Sequence, residues 1–182
     1  MIIGLTSLNG AGKTTVAEYL MQKGFLFYSL SDIIREEIKS RNQEITRDRL
    51  RETGNELRTK FGNSVLADRI MAKLKEGQNY VIDSIRHPAE IESLKKRKDF
   101  SMIFIDASIE TRFERVVGRK RESDPADFKD FKKAEEKELK SKDSANQQLL
   151  QCKDLADFVI DNDYSIEELY RKIDNLLVGL IE

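Results

Sequence analysis

The densest chemistry in this chain lies in Ser7-Leu8-Asn9-Gly10-Ala11-Gly12-Lys13-Thr14-Thr15. An apolar run, Met1 to Leu5, comes just before it, and an amphipathic one runs from Lys13 to Gln22, so the stretch bridges a predicted strand and a predicted helix. Gly10 and Gly12 let the backbone curl until successive N–H groups point inward, and a helix starting at Lys13 adds the positive end of its dipole. Such a cradle suits phosphate oxygens. Lys13 can reach the outer phosphates of a triphosphate such as ATP, and the Thr14 hydroxyl is placed to ligate Mg2+. The pattern is GxxxxGK[ST] with one departure, because Ser7 stands where the first glycine belongs and cannot take a glycine-only dihedral without strain. The plain alternative is a glycine-rich strand-to-helix turn with a surface lysine.

A second concentration of charge follows later. Arg112, Arg115, Arg119, Lys120 and Arg121 set five cations against Glu114 in ten residues, with Arg112 and Arg115 one turn apart on a helix starting near Ile109. Cations held over a transferring phosphoryl group supply much of its stabilisation. The same run would also suit a solvated helical hairpin.

The elements that must position these groups alternate short apolar runs with longer amphipathic segments, as in an α/β fold on a parallel sheet. Strands are expected at Met1–Leu5, Gly24–Tyr28, Asn79–Asp83, Met102–Asp106 and Ala156–Ile160. Helices are expected at Lys13–Gln22 with Gly24 as its stop, at Ser31–Ser40, Thr46–Phe61 and Ser64–Glu76, and at Ser165–Leu177 behind a capping-box pattern. Five strands with right-handed crossovers give a three-layer α/β/α sandwich of P-loop NTPase type. The chain reads as one domain, 1–182, with a helical insertion at about 31–76 and a charged, polar stretch at about 112–144.

Composition narrows the partners. With 32 basic and 33 acidic side chains the net charge is −1, which argues against a dedicated nucleic-acid or anionic-membrane binder. A single cysteine, Cys152, excludes a disulfide framework and reads as a small buried residue. No apolar run approaches the ~20 residues of a membrane span, and no charged region precedes the apolar start, so a soluble, cytoplasmic chain is expected. His87, the sole histidine, reads as an incidental loop residue.

On these residues the chain resembles P-loop nucleotide kinases of the adenylate kinase and dephospho-CoA kinase group. Besides the loop, Ser31-Asp32-Ile33-Ile34-Arg35 looks like the Asp-x-x-Arg element after the second strand of nucleoside monophosphate kinases. Val81-Ile82-Asp83-Ser84-Ile85-Arg86 is similar to their strand-ending aspartate and following arginine, and Ala156 to Asn162 is similar to the last strand of dephospho-CoA kinases. Leu30-Ser31 replaces the usual Thr-Gly, and Arg86 follows Asp83 without Gly-Phe-Pro spacing. In this it looks closer to archaeal adenylate-kinase-related proteins and to kinase-like regions attached to deoxycytidylate deaminases, as does the segment Thr46-Arg47-Asp48-Arg49-Leu50 through Leu57-Arg58.

The resemblance implies roles, with an acceptor-binding insertion at about 31–76 and a lid at about 112–144. Asn9 to Thr15 would hold ATP, and Thr14 and Asp83 would hold Mg2+ at the carboxyl ends of the strands. For Asp83 the alternative is an N-cap for the helix after Pro88. Arg35 and Arg86 would offer guanidinium forks to the acceptor's phosphate, with Asp32 shaping that site; Arg35 equally suits a solvated helix face, and so does Arg58. Arg115 and Arg119 best match lid arginines, with Arg121 the alternative to Arg119, and Asn162 would approach the donor's base. The expected activity is ATP- and Mg-dependent phosphoryl transfer to a small phosphorylated nucleoside or nucleotide. The alternative is an ATPase or nucleotide-sensing module acting with a protein or ribonucleoprotein partner.

Overall fold

The computed structural model describes residues 1–119, 127–139 and 148–181. In chain order they form β1 (Ile2–Ser7), α1 (Lys13–Gln22), β2 (Leu26–Ser29), α2 (Leu30–Ser40), α3 (Arg47–Phe61), α4 (Val65–Met71) and β3 (Tyr80–Asp83). There follow α5 (Pro88–Leu94), β4 (Phe100–Asp106), α6 (Ile109–Gly118), α7 (Phe128–Leu139), α8 (Leu149–Asp154), β5 (Phe158–Asp161) and α9 (Ile166–Gly179). Lys120, Arg121 and much of the expected lid lie outside the described residues.

The strands make one parallel sheet in the order β2-β3-β1-β4-β5. Because β1 pairs with β3 on one side and β4 on the other, the chain's crossovers change direction beside it, and its carboxyl end is where open α/β sheets bind ligands. Strand residues alternate between two buried faces. Ile2, Tyr80, Ile82 and Met102 pack against α2 to α5 and α8, while Ile3, Leu5, Val81, Ile103 and Ile105 pack against α1 and α9. This is the expected three-layer sandwich.

Local chemistry sets the boundaries. The glycine after α1 behaves as expected. Gly24, at φ 89°, donates its N–H to the Met21 carbonyl while Phe25 reaches the Leu20 carbonyl, a Schellman closure that delays β2 to Leu26. Thr46 and Ser165 cap α3 and α9 as read, each accepting from an N–H three residues on. Ser31 does not cap α2. Ser29, still extended at the end of β2, accepts from the Ser31 N–H at 3.3 Å and starts the helix earlier. The third insertion helix stops at Met71 rather than Glu76, because Lys73 and Leu74 close tight turns and the Tyr80 hydroxyl accepts from the Lys75 N–H at 2.8 Å. Two short helices, α5 and α8, sit where no periodic pattern is long enough to signal one. Cys152 on α8 is fully buried, and desolvation pushes its thiol up to about 12, leaving it unreactive near neutral pH.

Candidate active site

The loop after β1 closes with Ala11 fully buried and its N–H on the Leu8 carbonyl at 3.3 Å. Gly10 and Gly12 take the left-handed dihedrals, φ 85° and 99°, whereas Ser7 ends β1 without one, so the missing first glycine leaves no strain at that position. Both glycines are also forced by contact. A Cβ on Gly10 would stand 2.6 Å from the Arg112 carbonyl oxygen, and one on Gly12 would stand 2.3 Å from Asn162 Nδ2. Gly12 is the N-cap of α1, with no side-chain acceptor and no acidic residue in the first turn, while side chains cap α2, α3, α5, α6 and α9. The N–H groups at the start of α1 therefore face outward for an anion. Lys13, Thr14 and Thr15 occupy that first turn, with Thr14 exposed.

Asp83 ends β3 directly across from the loop, and its Oδ1 accepts from the Lys13 ammonium; the two side chains are 16% and 18% exposed. Burial pulls the Lys13 ammonium below its ordinary pKa, Asp83 opposes that shift, and the nearby Arg86 cation adds to it. Asp83 caps nothing. The helix after it is started by His87, whose Nδ1 accepts from the Ala89 N–H at 3.1 Å, with Pro88 in the first turn and Glu90 completing a capping box. His87 is thus a buried cap rather than an incidental loop residue.

The arginines separate clearly. Arg112 is 3% exposed and structural: its guanidinium donates to the Ala107 and Asn9 carbonyls and pairs with Glu135 of α7. Arg119 donates to the Asn9 Oδ1 at 3.0 Å, on the lip of the loop. Arg115 Nη1 is buried with no hydrogen-bond partner among the described residues, and it lies 3.9 Å from the position of a Cβ on Gly12. Asn162, expected near a donor base, is 5% exposed and placed beneath the loop, where its Nδ2 donates to the Ala11 carbonyl at 2.8 Å.

On α2, Arg35 pairs with Asp32 at 2.9 Å on a half-exposed helix face. Arg58 is not solvated. It pairs at 2.9 Å with Glu90, which is 0% exposed and whose Oε2 also accepts from the Arg86 and His87 N–H groups at 2.9 and 3.1 Å. Glu90 therefore ties α3 to the segment carrying Arg86. The His-Pro-Ala-Glu order, a cap followed by proline and then glutamate, was its only trace in the sequence. Glu90→Ala leaves a buried guanidinium and two N–H groups without their acceptor, and a loss of about 3–5 kcal/mol in urea unfolding is expected.

Residues 3–141 match the AAA domain family. A UPF0200 protein of Staphylothermus marinus is 34% identical over 182 residues, covering 100% of this chain and 93% of that one. The chain belongs to the UPF0200 family. Among solved structures, this UPF0200 chain is similar to the shikimate kinase of Bacteroides thetaiotaomicron, with a TM-score of 0.61, 17% identity, and coverage of 97% and 98%. It is also similar to the shikimate kinase of Acinetobacter baumannii in complex with shikimate, at 0.59, 18%, 98% and 93%. At such identities the likeness concerns the fold, which is that of kinase-like P-loop NTPases. No helix among the described residues of the UPF0200 chain is long and apolar enough to cross a membrane.

Proposed function

We propose that this chain transfers the terminal phosphoryl group of ATP, in the presence of Mg2+, to a small phosphorylated nucleoside or nucleotide. The observation that carries the reading is Arg115 Nη1, a buried donor with no acceptor among the described residues, beside a glycine cradle that a Cβ would fill. A buried N–H of a cation without a partner is costly, and a phosphate oxygen is the acceptor whose charge and place fit. The kinases among its fold neighbours support the reaction class.

Each residue then has a task. The loop's N–H groups other than that of Ala11, with those at the start of α1, grip the polyphosphate, and Lys13 exchanges Asp83 for phosphate oxygens as the nucleotide enters. Thr14 and Asp83 would hold Mg2+, which supplies charge neutralisation when bound. Arg115 and Arg119 bring positive charge over the transferring group, and Arg86, with Arg35 and Asp32, orients the acceptor's phosphate. Asn162 and Arg112 keep the loop in shape from below.

The test is ADP release from ATP and Mg2+ across a panel of nucleoside and deoxynucleoside monophosphates and dephospho-CoA. Acceptor-dependent ADP formation is expected, and its absence across the panel sinks the kinase reading. Arg86→Ala is expected to raise the acceptor's KM by ~10-fold or more with ATP affinity unchanged, as for loss of one charge-assisted hydrogen bond. A fall in ATP affinity instead would place Arg86 in the donor site.

A further inference from the structure

Among the described residues, two non-glycines have a left-handed φ: Asn42, an exposed asparagine, and Ser84 at 64°. Asparagine is enriched in that region and serine much less so. Ser84 stands between Asp83 and Ile85, a fully buried plug in the core, so the turn lets the chain sink Ile85 and bring Arg86 back toward Lys13. Glycine would make this turn without strain. Strained backbone at a site edge asks for a reason in the side chain.

The hydroxyl supplies one. Ser84 Oγ donates to Asp83 Oδ2 at 3.3 Å and accepts from the Ser29 hydroxyl at 3.1 Å. Ser29 is 6% exposed, pairs in register with Asp83 at the ends of β2 and β3, and accepts from the Ser31 N–H as the cap of α2. An unbroken chain of donors therefore runs from the first turn of α2, through Ser29 and Ser84, to one oxygen of Asp83. The other oxygen holds Lys13.

We propose that Ser84 is a positioning residue: its hydroxyl fixes the Asp83 carboxylate so that Oδ1 faces the loop, and through Ser29 it links that carboxylate to the acceptor-side helix α2. The inference rests on the kinase reading and deepens it, since an oriented carboxylate matters for a divalent cation beside the phosphates. Three substitutions separate hydroxyl from backbone. Ser84→Gly keeps the turn and removes the donor, Ser84→Ala removes the donor and keeps the strain, and Ser84→Asn tolerates the turn and restores a donor.

The measurements are calorimetry of ATP with and without Mg2+, and thermal unfolding of the protein alone. In Ser84→Gly and Ser84→Ala the gain in ATP affinity conferred by Mg2+ falls ~10-fold, affinity in chelator is unchanged, and Ser84→Asn recovers most of the gain. Ser84→Gly melts no lower than Ser84→Ala. Ser29→Ala lowers the same gain in the native background and adds nothing to Ser84→Gly. A native Mg2+ gain in Ser84→Gly overturns the proposal, as does an equal loss with and without Mg2+, which would mark a change of loop shape. If the unsubstituted protein binds no triphosphate under either condition, the kinase reading itself has failed, a result separable from both.

Discussion

Lys13→Ala loses turnover by at least ~10³-fold, the scale of removing a preorganised cation from a phosphoryl-transfer site, while far-UV circular dichroism stays native. The lysine occupies the first position of α1, over the loop, and its side chain is held by the Asp83 carboxylate, which nucleotide phosphates would replace. Arg112 cannot stand in for it, being held by Glu135 and by the Ala107 and Asn9 carbonyls. Near-native rates in Lys13→Ala would refute the assignment of the loop.

The same lysine gives the pH dependence a sign. Burial is the largest influence on it and lowers its pKa below the ordinary 10.5, with Asp83 only partly compensating. The kcat/KM profile, which reports the free protein, is therefore expected to fall on the alkaline side below pH 10.5, earlier than an exposed lysine would allow. For stability the sign is opposite. The folded chain pays for burying a charge below the lowered pKa, and that penalty is relieved as pH rises from there toward 10.5, where the unfolded chain still holds its proton. An alkaline limb with the same midpoint in Lys13→Arg would assign it to another group.

The sequence revealed the loop and the sheet because both are local. Gly10, Gly12 and Lys13 are contiguous, and apolar runs such as Tyr80 to Ile82 are buried on both faces in a way that composition alone reports. Helix starts at Thr46 and Ser165 were equally legible, since the cap is read from the next three residues. What escaped was non-local. Glu90 acquires its meaning from Arg58, 32 positions away, and Arg112 from Glu135 and Asn9; nothing in a stretch of charged residues says which one the fold will bury. Asn162 was noticed, but its contact with the loop was not. Its place follows β5, and only pairing of β5 with β4 brings its amide under Ala11 rather than outward. Arg115 and Arg119 stood in one basic run with Arg112, and it is helix packing against the loop that gives the three different tasks.

Asn162 leaves Gly12 no room for a side chain. Gly12→Ala must place a methyl group where Nδ2 of Asn162 now sits, 2.3 Å away, and must hold φ at 99°, outside the range alanine adopts readily. Strain of that kind costs about 1–3 kcal/mol before any clash is counted, so ATP affinity is expected to fall ~100-fold or more, with a lower thermal midpoint. The two causes come apart in a cycle. Asn162→Ala alone removes the donor to the Ala11 carbonyl and is expected to weaken ATP binding ~10-fold by loosening the loop. Adding it to Gly12→Ala relieves the clash and leaves the dihedral strain, so the double variant should bind better than Gly12→Ala and still worse than Asn162→Ala. If Gly12→Ala is no worse with Asn162 present than without it, the amide does not press on the loop, and the dihedral strain at Gly12 carries the loss.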